Sequence, residues 1–513
     1  MLCTVRTAAL LGIEALTVRL EVDLARQGMP AFTLVGLPDG AVREAKERVF
    51  SALKNCGYRL PPARITVNLA PADVRKEGSG YDLPLALGLL GGAEVIPAQA
   101  VAGYFLAGEL SLTGELRPVP GVLPLAVRAR AEGAAGLIVP AHNAAEAAVV
   151  DGLPVYGAAT LADVVRHVTG EQALSPVMAD VAGLWARRET HDLDFAEVKG
   201  QEHAKRAIEI AAAGNHNILL SGPPGSGKTM LAARVPTVLP PLSFDEALEV
   251  TTIYSVAGML APEAALIVTR PFRAPHHTIS DAGLIGGGAY PRPGEVSLAH
   301  RGVLFLDELP EFKKPVLEVL RQPLEQGAVT ISRAAVALSY PADFMLVAAQ
   351  NPCPCGYLTD DRHPCTCTPP QVQRYRSRLS GPLLDRIDLH VEVPAVPYED
   401  LRGLTPGTDS AAMRGRVLAA REVQAERYRG TAVRLNAELS GGLLEAHCRL
   451  GSGEHAFLER AVRTLGLSAR AYVRILRLAR TIADLAGEGD IAARHLAEAI
   501  SYRSLDRGGG ETA

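Results

Sequence analysis

The apolar positions of the chain fall into three regimes. Up to about residue 165, short apolar runs alternate with stretches of helical period, and Ala31–Val35, Arg64–Asn68, Ala102–Ala107 and Leu137–Val139 read as strands. From Asn217 the order becomes strand, glycine-rich loop, helix, then further buried strands at Gly302–Leu306 and Asp343–Ala348. That order predicts a parallel, doubly wound sheet with its ligand at the carboxyl ends of the strands. After Pro397 the strands cease, and Met413–Tyr428 and Ala469–Leu485 repeat apolar residues at helical spacing among many arginines. Gly170–Asp194 is polar and weakly periodic, holds the only tryptophan, Trp185, and reads as a linker.

The resulting fold class is multidomain α/β. An α+β unit spans residues 1–168, a linker 169–194, a doubly wound P-loop core 195–397 and an all-helical lid 398–513. A length of 513 residues is what about three domains require. No repeat of fixed period is present, and low complexity is confined to Gly508–Gly510.

Composition narrows the class. With 48% hydrophobic and 21% charged residues the chain has the make-up of a globular protein, which excludes disorder. Met1–Leu20 carries Arg6, Glu14 and Arg19, and no stretch approaches the roughly 20 apolar residues of a membrane span, so a cytoplasmic protein without a membrane partner is expected. A net charge of -4 gives no global attraction to nucleic acid, so any DNA binding must come from local basic surfaces such as the inner wall of a ring.

Candidate chemistry begins at Ile218-Leu-Leu220, a buried strand that runs into Gly222-Pro223-Pro224-Gly225-Ser226-Gly227-Lys228-Thr229 and then an apolar helix start. This is the Walker A spacing in its strand–loop–helix setting. Glycines let backbone N–H groups surround phosphates, Lys228 reaches the outer phosphates of ATP, and Thr229 holds magnesium. About eighty residues later a second buried strand, Val303–Leu306, ends in Asp307 and Glu308. There the aspartate can orient the magnesium and the glutamate can polarise an attacking water. The strand Phe344–Ala349 ends in Gln350 and Asn351, and Asn351 takes the sensor 1 position between those acids and the γ-phosphate. Together these residues predict an ATPase.

Hydrolysis shared between subunits needs a cation from the neighbour. Arg374, Arg376, Arg378 and Arg386 are the candidates, and Arg386 is favoured because it directly precedes a new strand at the sheet edge. In the helical unit Ser468 can cap a helix that opens with Arg470, a candidate sensor 2 reaching back to the γ-phosphate, with a solvated helix arginine as the other reading.

Seven cysteines are too few for a disulfide scaffold, but four lie within fifteen positions. Cys353-Pro-Cys355 and Cys365-Thr-Cys367 flank a nine-residue loop, and four thiolates so spaced can hold one zinc ion. Unligated surface thiols, or His363 in place of one cysteine, are the alternatives. Cys3, Cys56 and Cys448 read as packing residues.

Family resemblance sharpens the functional expectation. Residues 195–500 resemble the magnesium chelatase-like group of AAA+ proteins, which neighbours the MCM helicases, and the whole chain resembles the bacterial ComM/YifB family. The segments that carry this are Phe195-Ala-Glu-Val-Lys-Gly-Gln-Glu202, Arg270-Pro-Phe-Arg-Ala-Pro-His-His-Thr278, Arg292-Pro-Gly-Glu-Val-Ser-Leu-Ala-His-Arg-Gly302 and Asp307-Glu-Leu-Pro-Glu-Phe312. The resemblance implies a hexameric ring that acts on single-stranded and branched DNA with recombination proteins. It would serve as a competence-associated branch-migration helicase integrating donor DNA. It also implies a channel-facing insertion at Arg270–Arg301, where Arg273, His276, His277 and Arg292 would meet phosphates. Val329–Leu338 resembles the DNA-tracking hairpin of that clade, with Arg333 as its working residue; a plain surface hairpin fits the residues as well.

Residues 1 to about 165 resemble the proteolytic domain of Lon through Pro71-Ala-Asp-Val-Arg-Lys-Glu-Gly-Ser-Gly-Tyr-Asp-Leu-Pro84 and Gly108-Glu-Leu-Ser-Leu-Thr-Gly-Glu-Leu-Arg-Pro-Val119. In that alignment the nucleophile position falls on Gly80, one place after Ser79, and the lysine position on about Leu123 in a stretch, Val119–Val127, without lysine. The fold is therefore expected without the protease, since a serine nucleophile needs its lysine. The rival functional reading is a magnesium chelatase-like ATPase that drives metal insertion with partner subunits. The absence of an integrin-like metal-binding domain after the lid favours the DNA motor.

Overall fold

The computed structural model describes residues 2–26, 29–186, 188, 191–261, 264–288, 291–333, 336–360, 362–396 and 407–503. Its amino-terminal unit is a seven-stranded mixed sheet in the order 31–35, 64–70, 14–25, 2–11, 104–106, 136–140 and 155–158. The four strands read from the periodicity are present, with ends moved by a few residues. A long antiparallel hairpin, Leu2–Leu11 with Glu14–Ala25, was not anticipated. Cys3, Val5, Thr7 and Ala9 alternate as its buried face, a period of two that small and polar residues disguise.

The second sheet has five strands, all parallel, in the order Phe272–Arg273, Val303–Leu306, Met345–Gln350, Ile218–Ser221, Leu389–Glu392. Its strands are near-continuous apolar runs because helices cover both faces. Ile218, Leu220, Phe305 and Val347 point to a core shared with the helices Glu202–Gly214 and Lys228–Val238 and with the lid, while Leu219, Leu304, Leu306 and Leu346 enter a separate core on the other face. The sheet order places the strand Ile218–Ser221 between two neighbours that lie later in the chain, which opens a crevice at its carboxyl end.

The lid docks through Ser410–Arg427 and Ala469–Leu485 on Glu202–Gly214, joined by a buried polar network. His216 meets Asp388 at 3.2 Å and Thr481 at 2.8 Å. Asp484, with a fully buried side chain, accepts from Arg427 at 2.6 and 2.7 Å, from Arg480 at 3.1 Å and from Asn436 at 2.8 Å.

The linker is strapped down. Its short helix Val181–Ala186 sets Trp185 edge-on against Phe244 at 6.0 Å, with the Arg188 guanidinium 5.2 Å from the indole. The amino-terminal unit also grips the core through Ser255, whose carbonyl accepts the Gly121 N–H at 2.9 Å and whose hydroxyl donates to the buried Glu146 carboxylate at 2.6 Å. Burial pushes the Glu146 pKa up, and the Ser255 and Asn143 hydrogen bonds oppose that rise. Among the described residues no helix is long and apolar enough to cross a membrane.

Asp484→Ala strands the buried Arg427 and Arg480 without their carboxylate. A loss of about 3–5 kcal/mol is expected, measured as a lower urea midpoint; an unchanged midpoint would mean that the network does not hold the lid.

Candidate active site

The P-loop strand Ile218–Ser221 delivers the chain to a turn that only glycine can make at three points. A Cβ on Gly222 would lie 2.0 Å from the Val393 carbonyl oxygen, and Gly225 and Gly227 hold left-handed φ of +75° and +92°. Gly227 then caps the helix Lys228–Val238, whose first N–H groups face the loop. Lys228 is 8% exposed, and its ammonium donates to the carbonyls of Gly222 at 2.7 Å and Pro223 at 2.9 Å, with the Asn351 side-chain oxygen 3.4 Å away. Burial lowers its pKa, and the charges of Asp307 and Glu308 pull it back up.

Asp307 follows the buried strand Val303–Leu306 and accepts a hydrogen bond from the Thr229 hydroxyl at 2.8 Å. Oxygens bound at about 2.1 Å to adjacent corners of a magnesium octahedron lie about 2.9 Å apart, so this pair fits magnesium. Glu308 turns into a left-handed conformation, φ +51°, its N–H donating to Asp307 at 2.9 Å. Its carboxylate lies 3.2 Å from His277 Nδ1. Asn351 continues the fully buried strand Met345–Gln350. Lys228, Thr229, Asp307, Glu308 and Asn351 thus meet at one crevice.

Beside that crevice a cavity of about 480 Å³ is lined by Gln201, His203, Ser221, Glu392, Pro394 and Val396, within the roughly 300–1,000 Å³ of small-molecule sites. Gln201, at φ +59°, donates to the Pro394 carbonyl at 2.6 Å and ties the entry segment to the P-loop wall. Gln201 belongs to the segment Phe195–Glu202, and nothing local in the sequence marks the left-handed backbone that gives it this contact.

Arg386 and Arg470 are not at this crevice. Arg386 precedes the strand Leu389–Glu392 at its amino end, where it binds Glu325 and the Pro382 carbonyl. Arg470 meets Asp385 at 3.0 Å at the same end. Arg470 therefore lies away from the phosphate end of its own chain's crevice. Of the other candidate fingers, Arg378 pairs with Glu311 at 2.8 Å, while Arg374 and Arg376 are exposed on the helix Pro369–Arg376.

The predicted DNA-facing insertion divides. Arg273 makes a two-pronged pair with Glu295 at 2.6 and 2.8 Å. His277 pairs with Glu308 at 3.2 Å, which places it at the crevice. Arg270, Arg301 and His300 are likewise bound within the fold. His276 is exposed and packed on His277 at 4.1 Å, and Arg292 is exposed on the small hairpin Gly286–Gly287 with Arg292–Pro293. Ala328–Arg333 and Val336–Pro341 form the expected β-hairpin; the Arg333 side chain lies outside the described residues.

The four sulfurs of Cys353, Cys355, Cys365 and Cys367 lie within 4.8 Å of one another. Sγ separations of 3.3, 3.6 and 3.7 Å approach the roughly 3.8 Å that a tetrahedron of about 2.3 Å zinc–sulfur bonds requires. Backbone N–H groups of Tyr357 and Thr366 aimed at the Cys355 sulfur hold its pKa down to about 5. His363 is bound to Asp360 at 3.0 Å and does not join the cluster. In the amino-terminal unit, Ser79 lines a cavity of about 720 Å³ against the core, and no lysine is among its lining residues. Leu123 is fully buried.

Comparison with known proteins agrees along the chain. Residues 194–401 match the family described as magnesium chelatase, subunit ChlI; residues 20–143 match subunit ChlI of Mg-chelatase; residues 407–503 match its C-terminal part. The chain is 47% identical over 512 residues to the competence protein ComM of Haemophilus influenzae, covering 99% of this chain and 98% of that protein. It is 46% identical over 508 residues to YifB of Escherichia coli, covering 99% and 98%. Against the magnesium-chelatase 67 kDa subunit of Chlorobaculum parvum it is 28% identical over 160 residues, 31% of this chain and 23% of that protein.

Removing the Lys228 cation by Lys228→Ala is expected to abolish nucleotide binding, whereas Gln201→Ala should weaken it by about 1–2 kcal/mol through one lost hydrogen bond at the cavity wall. Equilibrium binding of a fluorescent ADP analogue separates the two; full affinity in Lys228→Ala would remove the P-loop from the account.

Proposed function

The chain belongs to the ComM/YifB family of magnesium chelatase-like proteins, and on that premise we propose that it is an AAA+ ATPase working on DNA as a homo-hexameric ring. Its task is ATP-driven branch migration of single-stranded and branched DNA, with recombination proteins, during integration of donor DNA in natural transformation. The units are a Lon protease-like domain without its dyad (1–168), a linker (169–194), the AAA+ core (195–397) and the lid (398–513).

The observation that carries the ATPase reading is the meeting of Lys228, Thr229, Asp307, Glu308 and Asn351 at one crevice. Lys228 neutralises the outer phosphates, Thr229 and Asp307 hold magnesium, Glu308 polarises the attacking water, and Asn351 orients it. Magnesium, when bound, supplies charge neutralisation on the phosphoryl oxygens. His277 is a positioning residue for Glu308. Cys353, Cys355, Cys365 and Cys367 hold one zinc ion.

The ring is supported by the location of Arg386 and Arg470. The P-loop strand runs about 10 Å from the end where they sit to the end where phosphates bind, so they serve the site of a neighbouring subunit. The DNA reading is supported by 47% identity along nearly the whole chain with a protein named for competence, and by the exposed side chains of His276 and Arg292. Arg333 on its hairpin joins them as a proposed contact. A metal-insertion motor is the second reading, favoured by the family descriptions, but the match to a chelatase subunit spans only 31% of the chain.

Purified protein is expected to branch-migrate synthetic three-strand and four-way junctions with ATP, and single-stranded DNA to raise its ATPase rate. Glu308→Gln should bind ATP and lose hydrolysis by at least about a hundredfold. ATP hydrolysis that neither needs nor responds to DNA would contradict the DNA motor and favour the metal-insertion reading.

A further inference from the structure

The cysteine cluster occupies a place in the fold that a merely stabilising metal site would not need. It is built from the segment that begins two residues after Asn351 and ends one residue before Thr368, the cap of the helix Pro369–Arg376. On one side, therefore, it is tied to the amide that stands 3.4 Å from the Lys228 ammonium. On the other it is tied to the helix that exposes Arg374 and Arg376.

The loop also touches the P-loop directly. Gly356, one residue after Cys355, holds a left-handed φ of +89°, and a Cβ there would lie 2.6 Å from Pro224 Cδ, 2.8 Å from its Cγ and 3.9 Å from Asn351 Cγ. The glycine backbone is thus seated on the Walker A turn as closely as atoms allow. Within the loop, the Gly356 N–H donates to the Cys353 carbonyl, and the Cys355 and Cys367 N–H groups point at the sulfurs of Cys367 and Cys365 at 3.4 Å each. Four sulfurs gathered in this way offer one thiophilic cation a near-tetrahedral set of ligands. The arrangement of the loop is therefore linked to the metal, because binding free energy gained in this geometry is lost in any other.

We propose that zinc at Cys353, Cys355, Cys365 and Cys367 controls the ATP site, clamping Gly356 on Pro224 and holding Asn351 in its hydrolytic position. With zinc bound, the sensor and the Walker A turn form one rigid unit. Without it, the loop relaxes, Asn351 loses its fixed distance from Lys228, and hydrolysis slows while the phosphate-binding turn keeps its glycines and its lysine. The clamp makes hydrolysis, rather than nucleotide binding, sensitive to the metal. This rests on the ATPase and zinc assignments made above, and the experiment separates the three.

Full-length protein is analysed for bound zinc and iron, stripped with a zinc-preferring chelator, desalted, and assayed in excess magnesium for ATP turnover and for affinity of a fluorescent ADP analogue. Zinc sulfate is then restored. One zinc per chain is expected. Its removal should lower kcat at least about tenfold, the scale of a misplaced catalytic group, with nucleotide affinity changed less than about threefold, and zinc should restore the rate. Gly356→Ala provides the independent arm: it keeps all four cysteines and one zinc but pushes the loop from Pro224, and its kcat should fall toward that of the stripped protein. A stripped protein that hydrolyses ATP at the original rate overturns the clamp and leaves the zinc site standing. Iron in place of zinc, or no metal, overturns the zinc assignment and with it the proposal. Protein that carries zinc yet hydrolyses no ATP overturns the ATPase reading instead.

Discussion

Ser221 lies opposite Gln350 on one side of the sheet and opposite Glu392 on the other, while Leu306 pairs with Ala348 one strand further out. Parallel pairing in this register brings the strand ends to within two residues of one level, and each ending hands the chain to a different chemical group. One strand opens into the glycine turn, one into Asp307 and Glu308, one into Asn351. The hydrogen bond from Thr229 to Asp307 and the approach of Asn351 to Lys228 are consequences of that common level. A slip of a single residue in any pairing would move a group by about 3.3 Å, more than the hydrogen bonds of the site tolerate. Gly222 keeps the register possible, because it is the only residue type that fits beneath the Val393 carbonyl.

The opposite end of the same sheet carries a different surface. Arg386, Arg470 and Arg474 gather there around Asp385 and Asp388, with the lid helix Ala469–Leu485 holding two of them in place. The buried network of His216, Asp388 and Thr481 fixes that helix to the core. A chain organised in this way presents phosphate-binding groups at one end and a cluster of carboxylate-paired arginines at the other. It is the polarity expected of a subunit that completes its neighbour's site, since closed rings are built from unlike surfaces meeting head to tail.

Local signals were legible and long-range ones were not. The Walker A turn, the two acids, Asn351 and the four cysteines each announce themselves within a few residues, and the structure brings each set together. The pair of Arg273 with Glu295 spans 22 residues across the insertion, and nothing in the local pattern marks it. The approach of His277 to Glu308 is equally unmarked, because it joins two segments distant in the chain. The amino-terminal hairpin is hidden in the sequence because Thr7 and Ala9 weaken its buried face while Leu2, Ala8 and Leu10 put apolar residues on the other, and pairing with Glu14–Ala25 is what makes it a strand. Arg470 meets Asp385 because the lid helix docks at the amino end of the sheet, a placement that no local pattern announces.

The central claim, that each ATP site is completed by the next subunit, is tested most directly by mixing two inactive variants. Glu308→Gln retains Arg386 but lacks the water-polarising carboxylate, and Arg386→Ala retains Glu308 but lacks the finger. Combined in equal amounts before ring assembly, they should recover about a quarter of the wild-type ATPase rate, the share of interfaces that random mixing makes whole. A mixture no more active than the sum of the separate variants would show that both residues must come from one chain, and would contradict the account.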